Sequence, residues 1–130
     1  MTDYKIAQTA YDYKRCHGLL LKVGRDQPGI TFPTIMAEKD GELTGVLCTH
    51  ISNKMIFAGP VAIRDDAPHY WTFIRLIEAY ENVMRTAKIT TYLFAVPKTE
   101  TKYLELIEKV LELKPYGEAE GHLLFDRRLT

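Results

Sequence analysis

Apolar residues recur along this chain at two periods, and the change from one to the other is sharpest between Met55 and Met84. Met55 to Ile63 is almost wholly apolar, as in a strand buried on both faces, and only Gly59-Pro60 interrupts it. Beyond an acidic turn, Tyr70, Phe73, Ile74, Ile77, Tyr80 and Met84 recur at helical spacing, which predicts a long amphipathic helix. Asp65 or Asp66 can cap it, and Pro68 suits an early helical position, where its missing N–H costs nothing. Upstream, Tyr4 to Gln8 reads as a short strand. Thr9 and Asp12 form a capping box for a helix over about residues 10–23, which Gly24 ends. RDQPGITFP is an irregular connection with room for one helical turn. Thr34 to Ala37 and Leu43 to Ile51 are strands joined by Asp40-Gly41, a dipeptide that tolerates the positive φ of a primed turn. Ser52-Asn53 turns the chain into the Met55 strand. Ile89 to Val96 is β-branched and aromatic, a strand that Pro97 stops. Thr99 to Leu113 is a second amphipathic helix with Thr99 as its cap, and Gly121 to Leu129 is a closing strand. The order β-α-β-β-β-α-β-α-β predicts one α/β domain over residues 1–130, with a mixed sheet that is antiparallel in its first half.

Composition narrows this little. Apolar content of 46% and charge of 26% are ordinary for a globular protein, and Lys+Arg and Asp+Glu balance at 17 each. Such a balance points away from nucleic acid, and no apolar run is long enough to span a bilayer. Two cysteines and the lack of a signal-like leader fit the cytoplasm. His17, His50, His69, His122, Cys16 and Cys48 show no metal-ligand spacing, so no metal is expected.

Three stretches then carry a likeness. Tyr4 to Tyr13 is a strand followed by a polar-Asp-aromatic helix start. MAEKDGELTGVL (36–47) is a hairpin, and TKYLELIEKVLELKPYG with HLLFDRRL is a closing helix and strand. In this order they resemble the GNAT superfamily of N-acetyltransferase-type proteins over nearly the whole chain. That resemblance implies a GNAT-like mixed sheet, acetyl-CoA as acyl donor and an amine of unknown identity as acceptor. It also implies a bulge in the Met55 strand, which splays it from its parallel neighbour to admit the pantetheine arm. Gly59-Pro60 suits such a bulge, because proline cannot donate to a sheet ladder. The alternative is that Gly-Pro ends the strand.

The resemblance places the cofactor contacts at Val61, Ala62, Ile63, Arg64, Ala67 and His69, with strand amides from Val61 to Ile63 polarising the acyl carbonyl. The family's R/Q-x-x-G-x-G/A loop, however, needs small residues so that backbone amides reach the pyrophosphate. With Arg64 leading, the glycine positions hold Ala67 and His69; with Asp66 leading, they hold His69 and Trp71. Neither register leaves a glycine, and Asp65 and Asp66 add like charge, costing on the order of 1 to 4 kcal/mol at ~4 Å from an anion. His69 is open to roles as base, phosphate contact or solvated cap. Tyr70 and Trp71 form either an aromatic wall or core. The family's closing-helix tyrosine, the acid that reprotonates the departing thiolate, is matched by Ile107; Tyr103, one turn earlier, either takes that role or packs. Cys48 and His50 share a strand face, as a dyad or as core. A second function follows from the degenerate loop. It resembles small phage-type members in which the scaffold binds or blocks a protein partner. The sequence leaves the oligomeric state open, including a dimer through the closing strand.

Overall fold

The computed structural model describes residues 1–25 and 29–129. Its elements in chain order are β1 (Thr2–Ile6), α1 (Ala10–Lys22), β2 (Thr31–Lys39), β3 (Glu42–Ser52), β4 (Met55–Ile63), α2 (His69–Thr86), β5 (Thr91–Pro97), α3 (Thr101–Leu111), β6 (Gly117–Ala119) and β7 (His122–Arg128). They form a seven-stranded sheet in the order β1-β2-β3-β4-β5-β7-β6. The first four strands are an antiparallel meander, β4 and β5 are parallel, and β5, β7 and β6 are antiparallel again. This is the mixed α/β sheet that the hydrophobic pattern predicts, with β6 as an addition. Three exposed residues, Gly117–Ala119, carry no apolar signal, and only the Glu120-Gly121 turn at positive φ marks their hairpin with β7.

Alternation sorts the strands onto two cores. On one face Cys16, Leu19 and Leu20 of α1 bury Met36, Val46, Cys48 and Ala62. On the other, α2 and α3 cover Ile35, Leu47, Val61, Ile63, Tyr92, Phe94 and Phe125. Thr9 and Asp12 make the predicted capping box, and Asp40-Gly41 makes the predicted turn with both φ positive. Two expected caps are absent. Helix α2 starts at Pro68 with no side-chain cap, because Asp66 is held by Arg64 instead, and α3 is headed by Glu100 rather than Thr99. Tyr70 is exposed and Leu76 takes its place on the buried face of α2. Residues 26–28 of the RDQPGITFP connection, with the helical turn anticipated there, lie outside the described residues.

Gly45 of β3 lets α2 approach the sheet. A Cβ there would lie 3.0 Å from Thr72 Cγ2 and 3.4 Å from the Ala62 carbonyl. Helix α2 is also tied to β5 and β7 by a buried carboxylate. Glu81, only 4% exposed, accepts from Tyr92 Oη at 2.6 Å and from Arg127 Nε at 2.7 Å.

Candidate active site in the split between β4 and β5

The interruption at Gly59-Pro60 is a bulge. Thr49 pairs with Ala58 and Leu47 with Val61, so two residues of β4 face one residue, Cys48, of β3. Proline thereby escapes the ladder it could not join, and Gly59 takes φ 141°, which few other residues tolerate. Beyond this point β4 and β5 diverge; Phe57 and Leu93 are their paired position. The divergence opens a cleft of about 660 Å³, lined among others by Arg25, His50, Val61, Glu100, Tyr103 and His122.

A split in a parallel pair leaves backbone groups on β4 without a strand partner, and buried carbonyls seek another. Here the Val61 carbonyl accepts from Arg25 Nε at 3.1 Å, and the same guanidinium pairs with Glu100 at the head of α3. Helix α1 sets this reach. Arg25 N–H bonds Leu20 O at 2.9 Å and Gly24 N–H bonds Leu21 O at 3.1 Å, a Schellman ending with Gly24 at φ 74°. The arginine side chain thus crosses from the α1 face to the α3 face. The expected Val61–Ile63 contacts divide in consequence. In extended backbone a residue's N–H and C=O share one edge and alternate along the strand. Val61 faces the cleft, while Arg64 N–H turns to Thr44 O at 2.8 Å. Ile63 therefore shares the cleft edge with Val61. Ala62 faces β3, paired with Val46, with its side chain in the α1-side core, so its assignment to the cofactor edge is corrected.

Tyr103 reaches the cleft from the first turn of α3, half-buried and edge-on to Phe73 at 5.7 Å. Burial pushes its phenol above the usual range, against the pull of the Arg25 charge, so it holds its proton at neutral pH. Ile107, which the resemblance matches to a tyrosine, is wholly buried. His50 lies on the α1 side, stacked on Phe57 at 5.1 Å, with Nδ1 3.1 Å from the Gly59 carbonyl. A carbonyl only accepts, so Nδ1 carries the hydrogen of this contact and Nε2 is the ring nitrogen that it leaves free. Cys48 is not its partner: the thiol is fully buried and desolvation raises it far above its ordinary value. Sequence reasoning met His50 as half of that dyad and, with His122, among histidines lacking metal-ligand spacing, and it gave Arg25 and Glu100 no place in the site. The bulge and the register that gather these residues are long-range features, and only Gly59-Pro60 hinted at them.

Solved structures share this architecture at low identity. Diaminobutyrate acetyltransferase EctA from Paenibacillus lautus, in complex with its substrate and coenzyme A, matches with a TM-score of 0.76 at 15% identity, covering 97% of this chain and 93% of that one. The PaiA N-acetyltransferase from Thermoplasma acidophilum, in complex with coenzyme A, matches at 0.77 and 10% identity over 99% of each chain. The ribosomal-protein-S18-alanine N-acetyltransferase from Escherichia coli matches at 0.71 and 10% identity, covering 100% of this chain and 95% of that one. No family model and no curated protein matches the sequence. The chain has the GNAT fold. The parallel neighbour that the resemblance implies for the Met55 strand is β5.

Against the GNAT pattern, the cleft and the loop that follows it behave differently. The cleft has a β4 edge that β5 leaves unpaired, the edge an amide-bearing arm requires, with its Val61 carbonyl held by Arg25. The loop after β4 does not offer the glycine cradle. Ala67 N–H is spent on Arg64 O at 3.0 Å, and the Arg64 guanidinium is engaged by Asp66 at 3.0 Å and Glu42 at 3.2 Å. His69 is half-buried at the start of α2, its Nδ1 3.1 Å from the Ala67 carbonyl, and it is not among the residues that line the cleft. The residues present fit the arm of coenzyme A and fit its pyrophosphate poorly.

Proposed function

We propose that this protein is a divergent acyl-CoA-dependent N-acyltransferase. The observation that carries the reading is the bulge-made split between β4 and β5, with a protonated tyrosine on one wall and a histidine with a free ring nitrogen on the other. When bound, acetyl-CoA supplies an acyl group activated as a thioester. The chain's own residues supply the rest. The Val61 and Ile63 edge of β4 holds the donor arm, and the Val61 N–H polarises the acyl carbonyl. His50 Nε2 takes one proton from the acceptor ammonium and passes it to solvent, leaving the nitrogen lone pair free to attack the carbonyl carbon. As the C–N bond forms and the C–S bond breaks, Tyr103 gives its proton to the departing sulfur. The second proton shed by the nitrogen restores the phenol through water. Arg64, Ala67 and His69 remain candidates for the phosphate end only if the Arg64–Asp66 pair opens.

Calorimetric titration and thermal shift with acetyl-CoA test this reading. Donor at ~100 times its dissociation constant raises stability by roughly 2.7 kcal/mol. Tyr103→Phe should retain that shift while slowing transfer to a responsive amine by about 10²-fold or more. No shift at millimolar acetyl-CoA would refute donor binding. The loop chemistry favours a second reading in that event, a GNAT-fold protein that binds a protein partner without acyl transfer, since the Arg64 guanidinium is already paired with Asp66 and Glu42.

A further inference from the structure

We infer that Arg25 is an internal competitor for the acyl donor: its guanidinium holds the β4 edge that the donor arm must take, so binding requires the Arg25–Glu100 bridge to open. The inference rests on the acyltransferase reading and adds a residue that the fold does not prescribe. Three observations carry it. The Val61 carbonyl faces the cleft because β5 has diverged, and it is satisfied by Arg25 Nε at 3.1 Å rather than left for a ligand. The same guanidinium pairs with Glu100, which belongs to the opposite wall, so the side chain spans the split that both residues line. Its backbone is also fixed, because Arg25 N–H closes the α1 helix end on Leu20 O at 2.9 Å. An arginine on a loose loop would sample many positions; this one leaves a fixed point next to the cleft.

The chemistry also defines what can displace it. A ligand must bring its own N–H donor to the Val61 carbonyl, since leaving that acceptor bare on displacement would forfeit the exchange. A secondary amide on a flexible chain, the chemistry of a pantetheine arm, meets the demand. A purely ionic ligand does not. The guanidinium, once released, remains at the mouth of the cleft on the α1 side, and Glu100 (35% exposed at its side chain) turns to solvent with little penalty.

The test compares acetyl-CoA and pantetheine, by calorimetry, on the wild-type chain and on Arg25→Ala and Glu100→Gln, with circular dichroism to establish that each is folded. Arg25→Ala should bind both probes about tenfold more tightly, the worth of one hydrogen bond to a charged donor. Glu100→Gln should gain less, because it frees one arm of the bridge and leaves the Val61 contact. Pantetheine matters because it has no phosphate, so its gain reports competition at the carbonyl rather than electrostatics. Equal affinities for wild type and both variants would overturn the inference and leave the acyltransferase reading standing. Weaker binding by Arg25→Ala would overturn it too, making Arg25 a donor contact. If no form binds either probe, the functional reading falls and this inference with it. Should Arg25→Ala not fold, Glu100→Gln decides alone, a gain for both probes supporting the bridge and no gain refuting it.

Discussion

Removing Arg127 while leaving Glu81 in place should be among the more damaging single changes outside the cleft. Glu81 sits on α2 with 4% of its surface exposed, and the Arg127 guanidinium approaches it twice, Nε to Oε2 at 2.7 Å and Nη2 to Oε1 at 3.1 Å. In Arg127→Met the carboxylate keeps Tyr92 Oη at 2.6 Å and Arg85 at 3.6 Å, the latter half-exposed and poorly placed. Breaking a buried pair costs about 3–5 kcal/mol because one charge is left uncompensated. The remaining two partners move the expectation to the low end, ~3 kcal/mol, or on the order of 10 °C in Tm for a chain this size. The comparison that matters is with Glu81→Leu/Tyr92→Phe/Arg127→Met, which removes the charges and the hydroxyl together. An apolar replacement of a whole buried network is often neutral, so this triple variant should lie within ~1 kcal/mol of wild type. Urea unfolding followed by circular dichroism, with the slope checked for constancy, measures both. If Arg127→Met costs under ~1 kcal/mol, or the triple variant is the less stable of the two, the uncompensated-charge argument is wrong. The stakes reach the cleft, since this network anchors β5 to α2 beside Leu93, the position at which β5 still pairs with β4.

Gly45→Ala should destabilise by about 1–2 kcal/mol, because the new methyl meets Thr72 Cγ2 at 3.0 Å, and Thr72→Ser in the same chain should restore part of the loss. An unchanged urea midpoint would show that α2 shifts freely. Glu38 gives a pH dependence of known sign. Hydrogen bonds from Lys5 and then Arg15 hold its carboxyl below the usual glutamate range. Its contribution is therefore complete above the unfolded value and fades as pH falls through the depressed one. Glu38→Gln should lose stability at neutral pH and lose less in acid, and parallel pH–stability curves for the two proteins would contradict this.

The hydrophobic pattern decided most of the scaffold. The two-residue period of the strands, the helical period of α2 and α3, the Thr9–Asp12 box and the Asp40-Gly41 turn are local interactions, written within a few residues of where they act. The same locality explains the misses. Asp66 has the right chemistry to cap α2, but Arg64 competes for it, and β6 is too short and polar to show a period. The candidate site was legible only where it is local too. Gly59-Pro60 announced a bulge because proline lacks a donor, and Tyr103 could be placed on the first turn of α3. Nothing in the sequence announced that Arg25 and Glu100 meet across 75 residues, or that His50 lends its Nδ1 hydrogen to the Gly59 carbonyl. Those pairings exist because the register of β3 against β4 and the divergence of β5 bring distant residues to one edge, and register is a property of the assembled sheet. The sequence by itself determined a GNAT-like scaffold with no glycine from Arg64 to His69; the tertiary structure decided that β4 and β5 part into a cleft, and that Arg25, just beyond α1, bridges it.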